Sequence, residues 1–232
     1  MKNNYIQVEF LSSSKLSTIN KILELTGESD WKSGLETFIG DPKTKNNIEL
    51  KNNYFKQKIS SIVYDAVNNC KKLHEYCFPQ SIDGVIIVRT PIKGYYNTHT
   101  DNGMNGHYSV TLFLSDPEDY DGGELCLFMN GEEKKIKLKA GEAIIYETGI
   151  PHRVNEVTRG HRDVIVFWVK SAIKDPFIRE LRYDLTQVSL DFGEDKNYET
   201  ILTHPEFAPV LEQTSFKLNS IINKLVRRYA DL

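Results

Sequence analysis

The sequence predicts an α+β fold that is mainly β: a double-stranded β-helix, or jelly roll, of about eight strands with flanking N- and C-terminal helices. Three observations carry this. Between residues 84 and 169, short runs rich in Val, Ile, Tyr and Phe recur, separated by Gly, Asn, Asp and Pro. Eight such runs at a spacing of roughly 8–12 residues suit a sandwich or barrel, and a two-sheet jelly roll has eight strands. On either side of them, apolar residues fall at intervals of three and four, the mark of amphipathic helices.

In chain order, residues 5–10 (YIQVEF) alternate as a short strand. Ser12 to Ser14 offer N-caps to a helix carrying Leu16, Ile19 and Leu23, and Gly27 stops it. Residues 31–50 (WKSGLETFIGDPKTKNNIEL) read as a polar loop. A helix is expected from about 53 to 76, with Phe55, Ile59, Ile62, Cys70 and Leu73 on or near one stripe and Pro79 just beyond. The eight strands are GVIIVRT (84–90), YYNTHTD (95–101), YSVTLFLS (108–115), ELCLFM (124–129), EKKIKL (133–138), EAIIYE (142–147), HRVNEV (152–157) and RDVIVFWV (162–169). Asn130-Gly131 marks a tight hairpin turn between the fourth and fifth. Asp175 and Pro176 then look like the N-cap and first residue of a helix through Ile178, Leu181 and Leu185. From about 215, Leu218, Ile221, Ile222, Leu225 and Tyr229 stand at helical spacing. The expectation is one domain over 1–232. Helical and strand support occupies 1–80, the jelly-roll core 84–170 and C-terminal helices 175–232, with the helices packed on an outer face of the roll.

Composition narrows the function classes. Of 232 residues, 40% are hydrophobic and 26% charged, with a net charge of −3. That balance gives no global attraction to nucleic acid or to an anionic membrane. No run approaches ~20 apolar residues, and the opening MKNNYIQVEFLSSSKL lacks the apolar core of a signal peptide. Cys70, Cys77 and Cys126 form neither a CxxC pair nor a disulfide-dense pattern, so they read as structural thiols. A cytoplasmic, reduced protein is expected.

The chemistry centres on YYNTHTDNGMNGH (95–107). Side chains alternate along a strand, so residues i and i+2 share a face about 7 Å apart along the backbone. His99 and Asp101 thus present an imidazole and a carboxylate on one side. His152, at the start of another strand, is the third candidate ligand. Two histidines and one carboxylate make the facial triad of non-haem Fe(II) oxygenases, which leaves open positions on the metal. Arg162, Val164, Val166 and Trp168 share a face that must be largely inward to bury two valines and a tryptophan. An arginine there needs an anionic partner, and its planar fork suits a carboxylate. Either an internal Asp or Glu, or a chelating 2-oxo acid with a second carboxylate, fills that need. Arg159 is the competing candidate, but its turn position points it to solvent. His107, after a Gly-rich turn, and His161, out of phase with Arg162, are expected to face solvent. Asp116 to Asp121 with Gly122-Gly123 reads as an acidic solvated hairpin loop. Arg153 and Asn155 flank His152 and face either substrate or solvent. Two other readings stand beside the oxygenase: a noncatalytic metal- or ligand-sensing jelly roll, and a cupin-like isomerase or a dioxygenase using no 2-oxo acid. An inward Arg162 argues against both.

The motifs HTD (99–101), SVTLFLSDPEDYDGGEL (109–125), PHRVNEVTRGHRDV (151–164) and LRYDL (181–185) closely resemble bacterial PKHD-type hydroxylases. These are Fe(II)- and 2-oxoglutarate-dependent dioxygenases related to the prolyl 4-hydroxylase catalytic domain. The early WKSG…TKNNIEL and late NKLVRRYADL also look like that family's flanking segments. The resemblance implies His99, Asp101 and His152 as iron ligands and Arg162 as the 2-oxoglutarate anchor. Tyr96 matches an aromatic position that contacts 2-oxoglutarate. Thr90 departs from the pattern, standing where relatives usually carry a tyrosine; this puts a wall or a cosubstrate contact in doubt. The implied reaction consumes O2, converts 2-oxoglutarate to succinate and CO2, and hydroxylates a substrate, with L-ascorbate as reductant for oxidised iron. A prolyl residue in a peptide or protein is the expected substrate, with 31–50 as lid or groove wall; a free amino acid is the alternative.

Overall fold

The computed structural model of the chain describes residues 4–37, 41–192 and 194–231. They divide into two compact units: one from Asn4–Leu73 with Ser81–Lys170, the other from His74–Gln80 with the chain from Ser171 onward.

The first unit starts with β1 (Tyr5–Glu9) and α1 (Ser13–Glu24). Ser12 caps α1 by accepting from the Lys15 amide, and Ile19 and Leu23 are its buried stripe. Short strands β2 (Trp31–Ser33), β3 (Lys45–Asn46) and β4 (Ile48–Leu50) follow. The expected loop at 31–50 is therefore corrected: its described ends are short strands, with β2 and β3 each at the edge of a sheet and β4 just inside β2, while 38–40 lie outside the described residues. The alternation there was hidden because two of the buried positions are charged, Lys45 and Glu49, which pair with each other at 3.1 Å. α2 (Asn53–Asn69) and α3 (Lys71–Cys77) replace the single expected helix. Cys70 leaves helical geometry between them, with ψ of 89°.

All eight expected strands are present, as β5 (Pro79–Thr90), β6 (Tyr95–His99), β7 (Tyr108–Phe113), β9 (Leu125–Met129), β10 (Glu132–Ile136), β11 (Glu142–Glu147), β12 (His152–Val154) and β14 (Arg162–Ser171). The seventh is shorter than HRVNEV suggested. At Asn155 and Glu156 the chain turns out of the sheet, and β13 (Val157–Arg159) pairs instead with a two-residue β8 (Asp121–Gly122). The larger sheet runs β1-β11-β7-β14-β5-β4-β2, and the smaller β10-β9-β12-β6-β3. Val88, Phe113, Ile144, Tyr146 and Val164 of the larger sheet pack in one buried cluster with Leu125, Leu127 and Ile136 of the smaller. This two-sheet, antiparallel jelly roll is the predicted fold class. The alternate residues Val110, Leu112, Ile145, Ile165 and Phe167 are also fully buried, so the larger sheet is covered on both faces.

In the second unit, Asp175 caps α4 (Pro176–Asp191) by accepting from the Ile178 amide at 2.9 Å. The LRYDL motif lies on this helix, where Tyr183 meets Tyr76 edge-on and Arg182 donates to the Glu75 carbonyl. α5 (Glu194–Thr203), which the sequence reading missed, precedes α6 (Ala208–Tyr229). No described helix is long and apolar enough to cross a membrane.

Candidate active site

β6 and β12 are neighbours in the smaller sheet, and His99 lies directly opposite His152. The next matched pair is Tyr96 and Val154, so Asn97 and Thr98 together oppose Arg153 alone. An extra residue of this kind is a β-bulge, which re-aims the side chains beside it. It brings Tyr96, three residues from His99, onto the same face, where their rings stack at 3.6 Å and 17°. β6 ends at His99, so Asp101 sits just past the strand rather than within it, a correction to the expected two-residue strand step.

The three candidate ligands nevertheless converge. Asp101 Oδ1 is 3.7 Å from Nε2 of His99 and 3.7 Å from Nε2 of His152. One ligand atom from each residue lies within 4.8 Å of the others. Each imidazole is oriented by its other nitrogen: Nδ1 of His99 is 2.8 Å from the Asn97 carbonyl, and Nδ1 of His152 is 2.9 Å from that of Ile150. A carbonyl only accepts, so both Nδ1 atoms carry the hydrogen and both Nε2 lone pairs face the site. Asp101 Oδ2 accepts from Ser109 Oγ at 2.7 Å and from Trp168 Nε1 at 3.0 Å, leaving Oδ1 nearest the imidazoles. Burial pushes the Asp101 carboxyl up, but His99, His152, Ser109 and Trp168 together hold it below its ordinary value. Burial is also the main reason that the His152 pKa is lowered, which keeps the ring neutral.

The Trp168 indole reaches Asp101 because Gly84 makes room for it. A Cβ on Gly84 would come within 2.7 Å of the indole ring, and Gly84 has φ of +67°, favourable only to glycine. Sequence reasoning counted Trp168 as core and overlooked Ser109. The signal was available, since Trp168 shares a strand face with Arg162.

Arg162 is 2% exposed, with its guanidinium 5.2 Å from the Phe113 ring. Its Nε and Nη2 have no hydrogen-bond partner among the described residues. Asp163, the next residue, turns to the other face and pairs with Arg89. Burial pulls the Arg162 pKa down, with Tyr120, Tyr146 and Asp163 opposing. The internal-carboxylate reading of Arg162 is thus not realised.

A family model described as the 2OG-Fe(II) oxygenase superfamily matches residues 86–170. A PKHD-type hydroxylase of Rippkaea orientalis is 34% identical over 216 residues, covering 88% of this chain and 96% of the relative. One of Prochlorococcus marinus is 30% identical over 188 residues, covering 78% and 85%. The chain belongs to the PKHD-type hydroxylases. Two solved structures share its fold at 16% identity. A Pseudomonas putida prolyl-4-hydroxylase has a TM-score of 0.52, with 73% of this chain and 94% of that one covered. An oxidoreductase of the 2OG-Fe(II) oxygenase family from Burkholderia pseudomallei has a TM-score of 0.54, with 71% and 84% covered.

As a member of this family, the hydroxylase is a 2-oxoglutarate-dependent dioxygenase, which implies Fe(II), 2-oxoglutarate and O2. The residues present fit these groups. Bonds of about 2.0–2.2 Å from one metal put adjacent ligands roughly 3 Å apart, close to the 3.7 Å separations here. Two buried guanidinium N–H groups without partners suit a carboxylate.

Tyr96 is half-buried beside this cluster. Burial, then the charges of Asp101 and Glu49, push its phenol up to about 12, so it stays a protonated donor. Lys45 of the buried Lys45–Glu49 pair stands 5.3 Å over its ring; the sequence reading had passed over both residues. Thr90 is buried. The structure does not bring the remaining candidates to the triad. Arg159 is exposed and paired with Asp121 through Nε and Nη2 at 2.8 and 3.1 Å. His161 is exposed and 3.6 Å from Asp163. His107 is half-buried rather than solvent-facing. Arg153 donates to Glu133 and Asn155, and Asn155 donates to Glu124, so both are bound into their own sheet. Within the acidic 116–121 loop, Tyr120 is 0% exposed, against the expectation of a wholly solvated hairpin.

Proposed function

We propose that this hydroxylase acts on a prolyl residue within a peptide or protein, with His99, Asp101 and His152 as the ligands of Fe(II) and Arg162 as the anchor of 2-oxoglutarate. The convergence of the three side chains, with both Nε2 lone pairs and one carboxylate oxygen turned to a common point, is the observation that carries the reading. Bound iron with 2-oxoglutarate and O2 supplies the oxidising chemistry, in which the cosubstrate becomes succinate and CO2 and the substrate gains a hydroxyl. The protein's share is orientation and exclusion of water. The Asn97 and Ile150 carbonyls fix the imidazoles, Ser109 and Trp168 fix the carboxylate, and Arg162 holds the far end of the cosubstrate in an apolar wall formed with Phe113. Tyr96 assists as a neutral hydroxyl donor. L-ascorbate is the proposed reductant for iron oxidised in uncoupled turnover.

The prolyl substrate is supported by the fold shared with the Pseudomonas putida prolyl-4-hydroxylase. The cytoplasm is the proposed compartment, supported by three buried free cysteines. One dioxygenase domain over 1–232 belongs to the same proposal, as does the absence of a nucleic-acid or membrane partner. The test incubates the Fe(II) enzyme and 2-oxoglutarate with free proline and with proline-containing peptides. Peptide-dependent succinate release and a one-oxygen mass gain on proline are expected. Turnover of free proline alone would transfer the protein to the free amino acid hydroxylases.

A further inference from the structure

Tyr120 lies in a stretch, DPEDYDGGE (116–124), that is otherwise acidic or small, yet its side chain is fully buried. Its position is built. Lys137 Nζ donates to the Tyr120 carbonyl at 2.6 Å and stands 4.0 Å over the ring. On another side Gly123 has φ of +65°, and a Cβ there would come 3.0 Å from Tyr120 Cε2. After this clamping the hydroxyl has no hydrogen-bond partner among the described residues. A buried hydroxyl without a partner is expensive, and native chains rarely leave one without cause.

The same is true of Arg162 Nε and Nη2. The Tyr120 hydroxyl and the Arg162 guanidinium are close enough to act as a polar pair, each shifting the other's pKa, yet neither the hydroxyl nor Nε or Nη2 reaches hydrogen-bond geometry with any described residue. Three unmatched polar atoms therefore neighbour one another in one buried place. The guanidinium atoms can only donate. Burial raises the Tyr120 pKa despite the Arg162 charge, so the phenol also keeps its proton to donate. A group with several lone pairs and a negative charge satisfies all three at once, and a carboxylate is such a group. We propose that Tyr120 is a second anchor of 2-oxoglutarate, its hydroxyl donating to the distal carboxylate that Arg162 binds. This rests on the reading of Arg162 as the cosubstrate anchor.

The test compares the wild-type chain with Tyr120→Phe and Arg162→Gln, each loaded with Fe(II) without oxygen and titrated calorimetrically. The titrants are 2-oxoglutarate and 2-oxopentanoate, which has the same carbon chain but no distal carboxylate. Tyr120→Phe is expected to weaken 2-oxoglutarate binding about ten- to a hundredfold, the range for a hydrogen bond to a charged group, and to leave 2-oxopentanoate unchanged. The thermal midpoint of the ligand-free variant should hold or rise, since the hydroxyl removed has no partner there. Wild-type affinity for 2-oxoglutarate in Tyr120→Phe, with a loss in Arg162→Gln, would overturn the role of Tyr120 alone. No loss in either variant would overturn the Arg162 reading and this inference with it. An equal loss for both titrants in Tyr120→Phe would reduce the tyrosine to a shape-filling role and overturn the inference.

Discussion

Arg89 and Arg162 lie on adjacent strands of one sheet and are treated in opposite ways. Arg89, on the outer face, gives Nε and Nη2 to the two oxygens of Asp163 at 2.8 and 2.7 Å and stacks 4.7 Å from the Trp31 ring. That bond raises its pKa. Arg162, on the inner face, is more deeply buried, and its Nε and Nη2 have no hydrogen-bond partner among the described residues. The carboxylate that pairs Arg89 belongs to the residue immediately after Arg162, and strand alternation turns it away. A matched guanidinium serves the fold; a buried one left unmatched lowers stability and marks a binding role.

The largest effect that sharpens this contrast is expected at Arg162. Losing one partner of a buried charged pair costs about 2–5 kcal/mol, so Arg162→Gln should weaken 2-oxoglutarate tens- to thousandsfold in a direct binding titration. Iron binding and the thermal midpoint of the ligand-free protein should not fall. A variant that unfolds more easily while keeping its cosubstrate affinity would break the contrast. Next is Trp168→Phe, which removes one of the two hydrogen bonds on Asp101 Oδ2. Loss of such a supporting contact typically costs 10–100-fold in metal affinity, readable by competition with a chelator. Gly84→Ala should act in the same direction by displacing the indole.

Arg89→Gln should show the reverse pattern to Arg162. Asp163 is buried and would be left short of donors, at a cost of about 1–3 kcal/mol in denaturant unfolding, with 2-oxoglutarate affinity unchanged. The smallest effect is expected at Arg159. Its pair with Asp121 is solvent-exposed on both sides, and Arg159→Gln should alter neither the unfolding midpoint nor cosubstrate binding. A cosubstrate loss there comparable to that of Arg162→Gln would reassign the anchor.

What the sequence made legible follows from residue type and period. His99, Asp101 and His152 stood out because their types match one chemistry, and Arg162 because a charge interrupts an inward apolar face. Four features escaped. The bulge at Asn97 and Thr98, which stacks Tyr96 on His99, depends on the partner strand rather than on local composition. The strands within 31–50 were masked by a buried ion pair, since Lys45 and Glu49 imitate surface residues. Tyr120 was concealed by its acidic neighbours, since Asp116, Glu118, Asp119 and Asp121 around it are all exposed. The two-helix break at Cys70 has no signal in the sequence that we can identify.

That His99, Asp101 and His152 hold Fe(II) with room for 2-oxoglutarate beside it is tested most directly by anaerobic addition of the cosubstrate to Fe(II)-loaded protein, followed in the visible range. A weak charge-transfer band that saturates with 2-oxoglutarate, and is absent when His99→Ala is combined with Asp101→Ala, is the predicted result. No band in the wild-type protein, or the same band in the double variant, would contradict it.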